Sequence, residues 1–264
     1  MKHFMTNRFQ NFFKEREYII LKNYLYNYLL RKIAIENNLK NEKPELILEV
    51  GSGISPIVKH TGWIIYSELS LTALQFLKHR HGKGWYVVAD CTYLPFKTGV
   101  ISHVICSEVL EHLKEDRRAL KELSRVMKFS GRLIITFPHR KFYYTYDDRF
   151  VNHFRRYDLS DIETLLANTG LRPIHIEKVL GPLEKVTMNF AIFCFSIIQR
   201  LKFLRTLKFQ NSKLIGAFVS FFKWINRLYV LLVYLDAKIT PRALSTVLLI
   251  KAGKTKYLCS LENT

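Results

Sequence analysis

Cysteine is scarce in this chain of 264 residues: Cys91, Cys106, Cys194 and Cys259 lie far apart, with no CxxC pair and no histidine at zinc spacing. That argues against a disulfide-stapled scaffold and a structural zinc module, and a reducing, cytoplasmic compartment is expected. No apolar run reaches the roughly 20 residues needed to cross a bilayer as a helix. The opening Met1-Lys-His-Phe-Met-Thr-Asn-Arg8 mixes charge with aromatics and lacks the unbroken apolar core of a secretory signal, so no cleaved signal peptide is expected. There is no internal repeat and no low-complexity tract. Acidic residues are also few, 22 against 41 Lys and Arg, which leaves a formal net charge of +19. Such a balance favours an anionic partner, nucleic acid or acidic lipid, without choosing between them.

What is present is an ordinary globular composition, 48% hydrophobic and 24% charged, on a chain long enough for one cored α/β unit with an appendage. Residues 1–40 read as a helical lead-in, with Phe9, Phe12, Phe13, Ile19, Ile20, Tyr24 and Leu25 spaced among Lys and Arg. From Leu46 the pattern turns to short β-rich runs separated by helix-length segments, the mark of a parallel sheet covered on both faces. Strands are expected at 46–50, 63–67, 85–89, 101–106, 131–137, 173–180 and 246–251. Helices are expected near 56–61, 70–80 and 115–128, the last with Leu120, Leu123, Val126 and Met127 on one face. Another should start at Asp158-Leu-Ser-Asp-Ile-Glu163, where Ser160 and Glu163 have capping-box spacing, and stop near Gly170. The core unit would be 41–181 plus 246–264.

Between these parts, 182–245 forms a long insertion before the last strand. It carries ten Lys and Arg against Glu184 and Asp236, and its stretches Val186 to Gln199, Leu214 to Phe222 and Leu228 to Leu235 hold no charge. A basic, apolar helical segment suits a surface that lies on an anionic membrane. Helices that simply cap the sheet give the same pattern.

Three features carry chemistry. Leu48-Glu49-Val50-Gly51-Ser52-Gly53 runs a hydrophobic strand into a glycine turn, where missing side chains let the backbone approach a ligand. Trp63-Ile-Ile-Tyr-Ser-Glu68-Leu69 ends a second strand in a carboxylate, placed to grip ribose hydroxyls. Both features fit a nucleoside pocket of either the nicotinamide or the S-adenosylmethionine kind. The third, Tyr86-Val-Val-Ala-Asp90-Cys91-Thr-Tyr-Leu-Pro-Phe96, is a strand, an acid and an apolar turn. With Val104 to Leu113, Ala119 to Met127 and Gly131 to Pro138 it resembles class I S-adenosylmethionine-dependent methyltransferases of the type 11 family, the ubiquinone and menaquinone biosynthesis kind, in order and spacing over 46–180.

The resemblance implies a three-layer, doubly wound, seven-stranded, mostly parallel sheet with a helical insertion before its last strand, and S-adenosylmethionine as cofactor. It implies Gly51, Ser52 and Gly53 beneath the methionine moiety with Glu49 near its amino group, Glu68 and Leu69 at the ribose, Asp90 and Cys91 at the adenine, and Ser107 near the sulfonium. Two positions depart from the family pattern: its third glycine is Ser55 here, and its Pro-Gly-Gly turn is Phe129-Ser130-Gly131.

An oxygen acceptor would gain from a base near neutral pKa, which makes His112, His139 and His153 candidates. Glu108, Glu111 and His112 have the i, i+3, i+4 spacing of one helical face; helix-start carboxylates are the preferred reading, and no metal is expected. Arg155-Arg156, with Arg140 and Lys141, could recognise a phosphate or carboxylate on the acceptor. The acceptor is expected to be a small molecule, lipid-linked or a glycan, methylated at oxygen or carbon; the loops that would contact it have no readable code. The competing readings are a nicotinamide-dependent enzyme, an RNA-modifying or nucleic-acid-binding protein, and a non-catalytic membrane scaffold. No RNA-binding module and no Asn/Asp-Pro-Pro-Tyr motif is present to support the second.

Overall fold

The computed structural model describes residues 25–58, 63–189 and 212–255, with side chains of the last helix described from Asn226 onward. The expected strands all form: β1 Leu46–Val50, β2 Trp63–Glu68, β3 Trp85–Val88, β4 Ile101–Ser107, β5 Met127–Pro138, β6 Leu171–Leu180 and β7 Val247–Lys254. They make one seven-stranded sheet in the order β3-β2-β1-β4-β5-β7-β6. Strand β7 alone runs against its neighbours, pairing antiparallel with both β5 and β6. Pro173 sits in β6, an edge strand, where its missing N–H leaves no gap in the interior of the ladder.

Helices cover both faces: α1 Tyr26–Leu39, α2 Leu71–His81, α3 Asp116–Val126, the short α4 Tyr146–Phe150, α5 Leu159–Ala167 and α6 Ser212–Ile239, with a further helical stretch over 182–189. On one face Ala119, Leu120, Leu123 and Val126 of α3 and Ile162 and Leu166 of α5 pack on Leu48, Val104, Leu133 and Ile250. On the other, Leu30 and Ile35 of α1, Leu74 and Leu77 of α2 and Val233 of α6 pack on Ile47, Ile64, Ile105, Ile134 and Leu249. Because alternate strand residues point to opposite faces, a sheet buried on both sides needs the nearly unbroken apolar runs seen in β1 and β4.

The helical lead-in is α1 among the described residues. It is part of the core, since Ile35 is fully buried. The expected helix near 56–61 is not formed over 54–58, which are turns and bends; 59–62 lie outside the described residues. The Ile57 and Val58 N–H groups donate to the Glu49 carboxylate at 2.7 and 3.0 Å. Met127 is not the end of α3 but the start of β5, which pairs Met127 with Ile101 and then resumes at Arg132 with His103. The intervening residues loop out as a bulge, so Phe129-Ser130-Gly131 is an irregularity within a strand and not a separate turn. At the start of α5 the capping box is Asp158 with Asp161, whose Oδ2 accepts from Asp158 N at 2.8 Å, and not Ser160 with Glu163.

The burial of α1 predicts that Ile35→Ala lowers the unfolding free energy by about 2–5 kcal/mol in urea titration. Ile33→Ala, on the outer side of the same helix and 44% exposed, should change it by no more than about 0.5 kcal/mol.

Candidate active site

In an open parallel sheet, ligands collect at the carboxyl ends of the strands, where neighbouring connections leave on opposite sides. Here that point is the end of β1, which lies between β2 and β4. The chain turns there through Gly51 and Gly53, at φ +67° and +54°, a left-handed backbone that favours glycine. A Cβ on Gly51 would meet Val109 Cγ2 at 2.5 Å. Gly51 N and Ser52 N both donate to the Ser67 carbonyl, at 2.8 and 3.2 Å, and Gly53 N donates to Glu68 Oε2 at 3.1 Å. The other Glu68 oxygen accepts from Ser70 N at 3.1 Å. Glu68 therefore fixes the glycine turn against the end of β2 as well as standing at its rim.

The remaining cofactor candidates lie along the same edge. Asp90, exposed just beyond β3, accepts from both the N–H and the hydroxyl of Thr92 at 2.8 Å, which shapes the turn that follows. Cys91 is buried, and burial pushes its thiol up to about 12, so it is an inert packing group. Leu69 is exposed at the end of β2. Ser107 closes β4 with its hydroxyl 2.8 Å from that of Thr136 on β5. Glu49 differs from expectation: it is buried with its carboxylate on Ile57 and Val58 N–H, so it holds the loop beneath the glycine turn. The Oγ atoms of Ser52, Ser55 and Ser67 and Oε1 of Glu108 are buried without a hydrogen-bond partner. Unmade hydrogen bonds of this kind are costly in a closed interior. These hydroxyls and this carboxylate oxygen, at the ends of β1, β2 and β4, fit a ligand with an ammonium, a carboxylate and ribose hydroxyls.

The three histidines part company. His139 is 2% exposed, its Nδ1 is 2.9 Å from the Ser245 carbonyl, and its backbone N–H donates to Thr246. Burial lowers its pKa, against the opposing pull of the Ser245 contact. At 2% exposure it braces the end of β5 against the start of β7 and has little access to an acceptor. His112 and His153 instead meet, ring centroids 4.7 Å apart, edge to face. His153 Nδ1 is 2.8 Å from Asp148 Oδ1.

Asp148 is a hub that sequence reasoning missed. It is 1% exposed and also receives Arg156 Nε at 2.8 Å and Lys185 Nζ at 2.7 Å. Burial works against its charge, yet the hydrogen bonds from His153, Arg156 and Lys185 outweigh that and hold the carboxyl far below the usual range. The only prior signal was the pair Asp147-Asp148 itself. Lys185 Nζ also reaches both oxygens of Asp147 at 2.7 Å, which ties the helical stretch 182–189 to α4.

Hence the proposed anion-reading pair is spoken for. Arg156 is buried on Asp148 and on the His139 and Thr246 carbonyls, and Arg155 pairs with Asp116 at 2.9 Å. Arg140 donates to the Ala243 carbonyl, and Lys141 to Asp161. Nor do Glu108, Glu111 and His112 share a helical face. Glu108 has φ +54°, and only a single 3-10 turn, Leu110–His112, follows it. Glu111 is fully buried with neither carboxylate oxygen hydrogen-bonded, and burial together with nearby Glu108 pushes its carboxyl well above the ordinary range.

The sheet order with its single reversed strand is that of class I methyltransferases, and comparison with known proteins agrees. A family model described as a methyltransferase domain matches residues 48–135. The chain is 31% identical over 107 residues to demethylmenaquinone methyltransferase of Streptomyces griseus, covering 40% of this chain and 46% of that protein. It is 30% identical over 119 residues to an uncharacterised protein of Methanocaldococcus jannaschii, covering 44% of this chain and 51% of that one. Thus the chain spans about half the length of the curated relatives it matches. Among solved structures, phosphoethanolamine N-methyltransferase 2 of Haemonchus contortus, in complex with S-adenosylmethionine, superposes with a TM-score of 0.59 at 16% identity, over 94% of this chain and 60% of that one. Residues 48–135 thus match a methyltransferase domain, on a fold shared with a solved S-adenosylmethionine-bound methyltransferase.

The depressed pKa of His139 has a stability consequence. An unfolded histidine, with a pKa of about 6.5, takes up its proton at a higher pH than the buried one, so stability falls as pH drops through and below that value. Urea midpoints measured from pH 8 to pH 5 should decline, and His139→Asn, which keeps a donor toward Ser245, should flatten that decline.

Proposed function

We propose that this protein transfers the methyl group of S-adenosylmethionine to an oxygen or carbon of a small-molecule, lipid-linked or glycan acceptor. One observation carries the reading: Gly51 and Gly53, Glu68, Asp90 and Ser107 fall at the carboxyl ends of adjoining strands, around a glycine turn whose neighbouring hydroxyls lack protein partners. In this reading Gly51, Ser52 and Gly53 give backbone room to the methionine end, Glu68 beside Leu69 accepts from ribose hydroxyls, Asp90 and the backbone at Cys91 take the adenine, and Ser107 borders the reacting centre. Glu49 acts one step removed, by holding the 57–58 backbone.

The cofactor supplies an already activated methyl group on a sulfonium, so the protein's contribution is alignment and exclusion of water. His112 and His153 remain the candidates for handling a proton on the acceptor, with His153 oriented by Asp148. Demethylmenaquinone methyltransferase, by its name, acts on a demethylmenaquinone; that relative supports an apolar acceptor here.

The second half of the reading concerns where the acceptor is met. No helix among the described residues is long and apolar enough to cross a membrane. On α6, however, Leu228, Leu231, Leu232, Leu235 and Ile239 are 52%, 55%, 55%, 44% and 82% exposed, and their spacing puts them on one stripe. Val233 and Ala237 of the same helix are buried against the core. Arg227 and Lys238 lie on the same helix and Arg242 just beyond it, within an insertion whose sequence is strongly basic. An anionic bilayer complements both properties, an apolar face and a positive surround. The protein would then be cytoplasmic and peripheral to the inner face of the membrane, meeting a lipid-linked acceptor there.

Two measurements test this. Tritiated methyl transfer into fractionated lipid, glycan, RNA and small-molecule pools should label lipid, glycan or small molecules; label confined to RNA, or none at all, contradicts the assignment. In cosedimentation with vesicles of phosphatidylserine and phosphatidylcholine, the double variant Leu231→Asp/Leu235→Asp should lose at least tenfold in bound fraction. Equal recovery of both proteins in the supernatant sinks the membrane component.

A further inference from the structure

Helices α1 and α6 pack on the same face of the sheet, yet they leave a gap between them. They meet at Tyr26 and Tyr229, whose rings stand edge to face with centroids 5.0 Å apart. Further along, each is tied separately to edge strand β6. Asn38 Nδ2 of α1 donates to Glu177 Oε2 at 2.9 Å, and Lys178 Nζ donates to the Lys238 and Thr240 carbonyls, at the end of α6, at 2.8 and 2.6 Å. Residues of α1, α6 and β6 together line a groove of about 380 Å3, within the range of about 300–1,000 Å3 found for small-molecule sites.

The lining explains why the gap stays open. Ala34 and Ala237 are both buried there and both too short to interdigitate across two helices. Leu30, Val179 and Val230 supply branched apolar walls, while Ile33, Leu231 and Tyr234 line it from exposed positions. A protein interior normally closes such a space with larger side chains, because an unfilled apolar surface forfeits its contacts. Leu228, Leu232 and Leu235, on the stripe of α6 that we assign to a bilayer, do not line the groove. It is thus a separate feature, recessed where the stripe is outward.

Charge at the groove is unbalanced. Lys178, Arg227 and Lys238 line it against one acid, Glu177. Lys178 is committed to the carbonyls that end α6. Lys238 Nζ stands 3.9 Å from Glu177 Oε1, beyond hydrogen-bond reach, and its side chain is half exposed. Arg227 is exposed one turn before Leu231. Arg227 and Lys238 therefore offer positive charge beside an apolar slot, and phosphate or carboxylate oxygens are what such groups bind best.

We propose that the groove between α1 and α6 binds one single-chain anionic amphiphile, an alkyl chain ending in phosphate or carboxylate. The chain lies against Leu30, Ala34, Val230 and Ala237, and the head group is held by Arg227 and Lys238. The recess admits one chain and not a flat surface, so the ligand enters as a monomer. The assignment rests neither on the methyl-transfer reading nor on the bilayer contact of α6.

The probe is decyl phosphate, kept below its micelle concentration and titrated calorimetrically into the full chain. One equivalent should bind with a dissociation constant in the micromolar range. Each buried methylene favours binding by about fourfold, so hexyl phosphate should bind at least tenfold more weakly, and inorganic phosphate should not bind measurably. Decanol, which lacks the charge, should bind at least fivefold more weakly than decyl phosphate. Ile33→Asp, at an exposed position on α1, should melt as the wild type does and lose at least tenfold in affinity for decyl phosphate. Arg227→Ala/Lys238→Ala should lose at least fivefold for decyl phosphate and keep the wild-type affinity for decanol. Phe129→Asp, exposed on β5, should bind decyl phosphate as the wild type does. Failure to bind decyl phosphate stoichiometrically, equal affinity for hexyl phosphate or for decanol, or binding that survives a folded Ile33→Asp overturns the proposal. Vesicle cosedimentation without decyl phosphate binding rejects the groove alone, and decyl phosphate binding without cosedimentation supports the groove and rejects the bilayer contact.

Discussion

Everything at the carboxyl edge depends on how the backbone leaves β1. Gly51 turns at a positive φ directly under Val109, with 2.5 Å between its would-be Cβ and a valine methyl, and the Ser67 carbonyl catches the next two N–H groups. The pair of bonds and the missing side chain together set the path of the chain between the ends of β2 and β4. Glu68 then fixes Gly53, and Glu49 fixes the loop beyond it. The carboxylates that sequence reasoning assigned to a ligand thus also build the wall that a ligand would contact, a division of labour expected where a preorganised site must not relax when empty.

A second constraint sits across the edge, in the buried ion network around Asp148. Three cationic or imidazole groups converge on it. Buried ion pairs are weak evidence for stability, because desolvation offsets most of their attraction, but breaking one partner leaves an uncompensated charge. Their evident effect here is positional: Lys185 secures the beginning of the insertion, Arg156 bridges the ends of β5 and β7, and His153 is aimed at Glu111.

Much of this was legible in the chain. Strand positions followed from apolar runs and glycine breaks, since a sheet covered on both faces tolerates few polar residues. The cofactor positions were implied by the family resemblance, and of their acids Glu68 ends β2 while Asp90 lies just past β3. What the sequence concealed depends on pairing at long range. Residues 56–58 read as a helix start but are irregular, with the Ile57 and Val58 N–H groups on the distant Glu49 carboxylate. The spacing of Glu108 to His112 mimics a helical face, yet Glu108 adopts a left-handed backbone and the partner that matters, His153, arrives from another loop. His139 and Arg156 look like loop residues and are buried struts, because the start of β7, far along the chain, closes over them. No local pattern encodes such contacts.

The central claim is that the glycine turn after β1 holds a methyl donor. Calorimetric titration with S-adenosylhomocysteine, run beside the same titration with NAD+ and repeated on Asp90→Ala, addresses it most directly. The account predicts one equivalent of S-adenosylhomocysteine bound, at least tenfold weaker binding by a folded Asp90→Ala, and no binding of NAD+. Binding of NAD+ in preference, or of neither ligand by the folded chain, would contradict it.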